Sequence, residues 1–146
     1  MGYNYVNIDE LLNKVIIKIE VSDNVQILFY LSNGAEYKMY HDQDCCEHVS
    51  IEDIEGNLDD LIGYRLNQAE ENTKKGKSSE YDDSSTWTFY KLATIKGYVT
   101  IRWYGSSNGY YSESVSIEKI KDEDPIKEQR RKKLLVIEEQ YEKKSI

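Results

Sequence analysis

Between Met39 and Tyr64 the chain carries eight carboxylates (Asp42, Asp44, Glu47, Glu52, Asp53, Glu55, Asp59 and Asp60), both of its cysteines and both of its histidines, with no Lys or Arg among them. The densest part, His41-Asp42-Gln43-Asp44-Cys45-Cys46-Glu47-His48, holds ligand types for zinc and, in its carboxylates, for calcium or magnesium. Its spacing argues against a closed zinc site: the cysteines are adjacent, the histidines are seven apart, and no second CxxC or HxxxH completes a tetrahedron. The EF-hand order is absent too, so a divalent metal would have to use Asp42, Asp44 and Glu47 in an open site. The same three carboxylates, if clustered, would repel one another and raise one pKa toward neutrality, as general acid–base chemistry requires.

The second group with chemical potential is aromatic. Trp87, Phe89, Tyr90, Tyr98, Trp103, Tyr104, Tyr110 and Tyr111 are eight of the seventeen aromatics and fall within twenty-five residues. Alternate members must fill a core, which leaves the opposite parity and the loop tyrosines for binding. Arg102 is a lone cation amid these rings, suited to a phosphate or carboxylate, although an internal pair with one of the many carboxylates is the simpler use. The connection Gly105-Ser106-Ser107-Asn108-Gly109, flanked by Tyr110 and Tyr111, reads as an exposed glycine-bounded tip of the kind that carries recognition. Candidate contacts are therefore Arg102, Tyr104, Ser107, Asn108, Tyr110 and Tyr111, with no cofactor implied.

Composition bounds what these groups can serve. A chain of 146 residues with 39% hydrophobic and 32% charged residues is long enough for one globular domain without disulfide support. Thirteen Tyr, two Trp and two Phe favour strands. Adjacent cysteines close a strained ring when they bridge, so Cys45 and Cys46 are expected to be small, half-buried hydrophobes. The N-terminal residues have neither a basic nor an apolar leader region and no run reaches transmembrane length, which predicts a cytoplasmic protein without a membrane segment. Residues 121–146 hold eight basic and seven acidic residues, leaving eleven and twenty for residues 1–120, so the body is strongly acidic. Such a body repels phosphate, and only Arg130 to Lys133 offer a basic run, which argues against direct nucleic-acid binding.

Hydrophobic alternation places these residues on strands. Val15, Ile17, Ile19 and Val21 share one parity, and Val25, Ile27, Phe29 and Leu31 another, joined by a three-residue loop at Ser22 to Asn24 that pairs Val21 with Val25 and Ile17 with Phe29. At the next turn a loop of Ser32, Asn33 and Gly34 pairs Phe29 with Tyr37 and Ile27 with Met39, whereas a two-residue turn would set Phe29 against Lys38. A meander over roughly 15–21, 25–31 and 35–41 results, with His41 at the end of its core-facing parity. Val49, Ile51 and Ile54 predict a short strand ending at Gly56. Asn57 then reads as the cap of a brief helix through Ile62, stopped by Gly63. A strand at 64–71, a loop from Asn72 to Ser85, and strands at 86–94, 98–104 and 111–119 complete the β region. The 86–104 hairpin has two readings: a two-residue turn pairs Leu92 with Ile101, a three-residue loop pairs Phe89 with Trp103. Pro125 opens a helix whose Ile126, Arg130, Leu134, Ile137 and Tyr141 form a narrow stripe, fitted to lie along the domain or to pair with a second copy. The fold class is α+β, mainly antiparallel β. It is a meander or half-open barrel or sandwich of about six to eight strands, with a domain over 1–120 and a helical extension over 121–146.

The phrases YHDQDCCEHVSIEDIEGNLDDLIG and TWTFYKLATIKGYVTIRWYGSSNGYYSESV, with the AEE between them, resemble a family of small domains of unknown function encoded by tailed bacteriophages and prophages, over roughly residues 15–120. The resemblance implies a phage product acting in the bacterial cytoplasm and transfers no catalytic or binding residue. The leading expectation is a non-enzymatic binding protein that engages a host protein or a small ligand as a host-takeover or anti-defence factor. One rival is a divalent-metal-dependent hydrolase at Asp42, Asp44 and Glu47. The other is an acidic nucleic-acid mimic that occupies a nuclease through Glu52, Asp53, Asp59 and Asp60.

Overall fold

The computed structural model describes residues 3–76 and 84–144. Among them nine strands form two antiparallel sheets, with no closed barrel. The first contains β1 (Tyr5–Val6), β2 (Ile16–Ser22), β3 (Gln26–Leu31), β4 (Glu36–Tyr40) and β9 (Ser116–Lys121), in the order β1-β9-β4-β3-β2. The second contains β5 (His48–Glu55), β6 (Gln68–Lys75), β7 (Ser84–Thr94) and β8 (Gly97–Ser107), in the order β5-β8-β7-β6. Short 3-10 turns at Ile8–Leu11 and Leu58–Leu61 plug the ends, and α1 (Pro125–Lys144) follows. The strand count exceeds the expected six to eight because β1, too short to show alternation, adds an edge.

Phe29, Tyr37, Met39, Ile27 and Leu31 from the first sheet meet Tyr90, Leu92, Val99, Ile101 and Trp103 from the second in one interior. The Trp103 indole N–H donates to Met39 Sδ at 3.3 Å, which gives the buried indole its polar contact across the sheets. The expected β3–β4 register holds, with Phe29 opposite Tyr37 and Ile27 opposite Met39. Gly34 takes the left-handed φ of +91° that this turn needs.

Three registers depart from expectation. The first hairpin turns at Asp23 to Val25, with Asp23 and Asn24 both left-handed, so Val21 faces Ile27 and Ile19 faces Phe29. A bulge between Ile16 and Lys18 then reverses the parity: Ile16 is fully buried and Ile17, expected inside, is 55% exposed. In the β7–β8 hairpin neither sequence alternative holds. A two-residue turn at Ile95 and Lys96 pairs Leu92 with Val99, Tyr90 with Ile101 and Phe89 with Arg102. This register sets apolar residues against each other inside and leaves Lys91 opposite Thr100 outside.

The remaining elements shift by a few residues. The strand expected at 64–71 runs Gln68–Lys75, so the expected loop from Asn72 begins later, and residues 77–83 of it lie outside the described residues. The strand expected from Tyr111 begins at Ser116. The expected short helix is the 3-10 turn Leu58–Leu61, where the Asn57 side chain accepts from the Asp59 amide at 3.0 Å and Gly63 follows at a φ of +91°. Gly56 is required by contact as well as by conformation, since a Cβ there would stand 2.5 Å from the Tyr98 carbonyl oxygen.

The helix starts at Pro125 as expected, but its attachment is polar. Asn33 donates to Glu128 at 2.8 Å, Arg131 holds Glu128 by a fork and donates to the Asn13 carbonyl at 2.9 Å, and the Asp124 amide bonds the Asn33 carbonyl. The Arg131 guanidinium outweighs partial burial and, with Asn33, holds the Glu128 carboxyl down at about 2.

Truncating Trp103 to Ala should cost about 3–5 kcal/mol of stability, whereas Ile17→Ser should cost within about 0.5 kcal/mol. Urea unfolding of both variants measures the difference, and a large cost at Ile17 would contradict the bulge.

Candidate functional site

The acidic segment is organised from within. His41 leaves the end of β4, and its Nε2 lies 2.7 Å from Glu47 Oε2 while its Nδ1 lies 2.6 Å from the Ser114 carbonyl. A carbonyl can only accept, so Nδ1 must carry a proton. The Glu47 carboxylate also accepts the amides of Asp44 and Cys45, each at 2.9 Å, and the Gln43 side-chain amide closes the turn onto the Glu47 carbonyl at 2.8 Å. Both side chains of the pair are out of solvent. Burial alone would push the Glu47 carboxyl up, but the His41 hydrogen bond and the amides of Asp44, Cys45 and Glu47 outweigh it and hold it at about 2.

Of the three carboxylates assigned to a metal, Glu47 is thus committed to His41 and two amides, while Asp42 and Asp44 are exposed and Asp42 accepts from Tyr5 at 3.2 Å. Among the described residues no three His, Cys, Asp or Glu side chains gather as a metal-binding group. The cysteines do correct an expectation: Cys45 and Cys46 are exposed and joined to each other, with sulfurs 2.00 Å apart. The Glu47 carboxylate accepts the Cys45 amide beside this bond.

The six candidate contacts of the aromatic region separate into two places. Gly105, Ser106 and Ser107 belong to β8 and are buried, so the expected tip is shorter, beginning at Asn108. Ser107 Oγ donates to Glu113 at 2.5 Å, and Thr86 and Ser84 donate to the same carboxylate at 2.7 and 3.3 Å. Burial raises the Glu113 carboxyl, but these hydroxyls bring it below the ordinary value. Asn108 accepts from the Tyr110 amide, and Tyr110 and Tyr111 pack edge to face.

Arg102 and Tyr104 instead lie on the outer face of the second sheet. Register places Trp87 opposite Tyr104, Phe89 opposite Arg102 and Lys74 opposite Trp87, so all five share that face. The Trp87 and Tyr104 rings are 4.5 Å apart and the Arg102 guanidinium sits 5.6 Å over Trp87. Arg102 also makes the expected internal pair, a fork onto Glu52 at 2.9 and 3.1 Å, with Asp53 at 3.8 Å. Beside it a depression of about 340 Å³ is lined by Lys74, Lys75, Gly76, Trp87, Phe89 and Arg102. The Lys75 ammonium turns to Thr86 at 3.0 Å, while Lys74 and Arg102, with Lys91 further along β7, are cations of the face among the described residues. Trp87, Phe89 and Lys74 are absent from the sequence-based candidates. Their signal was the parity shared with Arg102 and Tyr104, readable only once the hairpin register is known.

A family described as a domain of unknown function (DUF7448) matches residues 9–117, the stretch that contains β2 to β8, the start of β9 and all of the face just described. The chain belongs to this family. No curated protein and no solved structure matches it. The helix α1 lies beyond the matched residues. No described helix is long and apolar enough to cross a membrane.

Because Glu47 ionises well below its ordinary value of 4.5 in the fold, its contribution to stability is present above that pH and is lost as the pH falls toward about 2. Urea unfolding at a series of pH values should therefore show wild type losing stability over that window. Glu47→Gln should start lower at neutral pH and fall less steeply, and parallel curves would mean that the Glu47 carboxyl is not held down as described.

Proposed function

We propose that this protein is a non-enzymatic binding protein of phage origin, an accessory factor that acts in the cytoplasm of the bacterial host as a host-takeover or anti-defence factor. It recognises a planar, anionic group through the outer face of its second sheet. The group belongs to a small ligand that the protein sequesters or to a host protein that it engages. The observation that carries this reading is the cluster of Trp87, Tyr104, Phe89, Arg102 and Lys74 on one open sheet face, beside the 340 Å³ depression. Flat rings on a rigid sheet stack a planar group at little entropic cost, and Lys74 beside them, with Arg102 shared with Glu52, offers positive charge to an anionic group in a chain whose net charge is −8. The Glu52 fork leaves the Arg102 guanidinium held in place, stacked on Trp87, as a preorganised partner.

The rival readings draw less from the geometry. A hydrolase centred on Asp42, Asp44 and Glu47 would need Glu47 released from His41 and from two amides. A nucleic-acid mimic would need Glu52 and Asp53 facing a basic cleft, while both are turned to Arg102.

Fluorescence provides the test, because Trp87 is on the surface and Trp103 is fully buried. Titration with a panel of nucleotides should quench Trp87 and raise the melting temperature, and Trp87→Phe should abolish the quench. Arg102→Ala should weaken binding by about tenfold. If nucleotides are silent, capture of a host protein from bacterial lysate that is lost in Arg102→Ala and Trp87→Ala identifies the protein arm. Silence in both, or binding indifferent to both residues, would sink the proposal.

A further inference from the structure

The inward face of the second sheet changes character along β6 and β7. Register aligns Ala69 with Leu92 and Glu71 with Tyr90, then Thr73 with Thr88 and Lys75 with Thr86, on the face whose β8 members are Val99, Ile101 and Trp103. The parity that buries Leu92 and Tyr90 thus turns to hydroxyls two residues away, and there the opposing wall is the segment 109–115 that precedes β9. Gly105 admits that segment, since a Cβ on it would stand 2.9 Å from the Glu113 carbonyl oxygen. The bonds from Ser84, Thr86 and Ser107 to the Glu113 carboxylate then hold the wall in place. Between wall and sheet lies a cleft of about 350 Å³, within the range of small-ligand sites, roughly 300–1,000 Å³. Thr88 lines it and is 1% exposed, yet its hydroxyl has no hydrogen-bond partner among the described residues. The hydroxyls of Thr73 and Tyr111, which line the same cleft, have none either. A buried hydroxyl left unpaired is costly, so the cleft has room for a partner that the chain does not itself supply.

Charge and hydrogen bonding decide the class of that partner. The charged side chains lining the cleft among the described residues are Glu71, Glu113 and Lys75. Lys75 is shared between Thr86 at 3.0 Å and Glu113 at 4.0 Å, so an anion would face the carboxylate of Glu71 without compensation. A purely apolar molecule would leave the hydroxyls unpaired. No three metal-ligating side chains gather among the described residues. A neutral ring bearing several hydroxyls meets every condition, because a hydroxyl both donates and accepts and so matches threonines and a carboxylate alike. We propose that the cleft binds a saccharide. Half-buried Tyr111 packs against the apolar C–H face of a sugar ring, and Thr73 and Thr88 exchange hydrogen bonds with its hydroxyls. Glu71, whose Oε1 takes the Tyr90 hydroxyl at 2.6 Å, accepts one more through its second oxygen. The cleft lies on the side of the second sheet opposite Trp87 and Arg102, so the two sites fill independently.

Isothermal titration calorimetry of the full chain tests this with methyl glycosides of the common hexoses and N-acetylhexosamines and their short oligomers. Taken to about 20 mM, the panel should contain at least one ligand with Kd between roughly 10 µM and 1 mM. Tyr111→Ala should weaken that binding by about tenfold. Thr88→Val keeps the shape and removes the hydroxyl, and should weaken it by about three- to tenfold without lowering stability in urea unfolding. Arg102→Ala should leave saccharide binding unchanged, which separates this site from the outer face whatever that face binds. Silence of the whole panel, or affinity indifferent to both Tyr111→Ala and Thr88→Val, would overturn the proposal. So would a marked loss of stability in Thr88→Val, which would mean that its hydroxyl is already paired, or loss of saccharide binding in Arg102→Ala.

Discussion

The ladder between β7 and β8 decides which aromatic residues are core and which are surface, because every paired residue inherits its face from the turn at Ile95 and Lys96. With that turn, Tyr90, Leu92, Val99, Ile101 and Trp103 point into the interior and meet Phe29, Tyr37 and Met39 from the other sheet. The opposite parity gathers Trp87, Phe89, Arg102 and Tyr104 outside. A slip of one residue would bury Arg102 or Lys91 against apolar neighbours, at a cost far above the stability of a typical domain contact. The outer aromatic face and the core are therefore two consequences of one register.

Two buried carboxylates close the end of the molecule around the segment before β9. Glu47 gathers His41 and the amides of its own turn, and His41 in turn holds the Ser114 carbonyl. Glu113 collects three hydroxyls from β7 and β8. In both cases the charge is offset by several donors, which is what a buried carboxylate needs. The same hydrogen bonds remove these groups from the pool that could bind metal or move protons. Part of the acidity that makes the sequence look reactive is thus structural, and the 3-10 turn that carries Asp59 and Asp60 at its start accounts for more of it.

The family match ends at residue 117 and the helix begins at Pro125, and the two parts are joined through polar contacts. Asn33, Glu128, Arg131 and the Asn13 carbonyl hold the first turns of α1, and Arg130, Leu134 and Leu135 line a groove of about 280 Å³ against Asn13, Val15, Ser32 and Arg65. Polar docking fixes orientation at modest energetic gain, since each exposed pair contributes little. Leu134, Val136 and Ile137 stay largely exposed on a helix that contributes no residue to the buried core.

By itself the sequence determined that the chain is mainly antiparallel β, that the β3–β4 pairing is Phe29 with Tyr37, and that a helix starts at Pro125. Each follows from local signals: alternation, a glycine or asparagine at a left-handed position, and a proline at a helix start. The bulge that exchanges Ile16 for Ile17, the β7–β8 register and the burial of Ser107 were decided only by tertiary structure. So was the grouping of Trp87 and Lys74 with Arg102. Each depends on which distant residue stands opposite, as Ile62 stands beside Ile16 and Glu113 beside Ser107, and a linear pattern carries no record of its cross-strand neighbour.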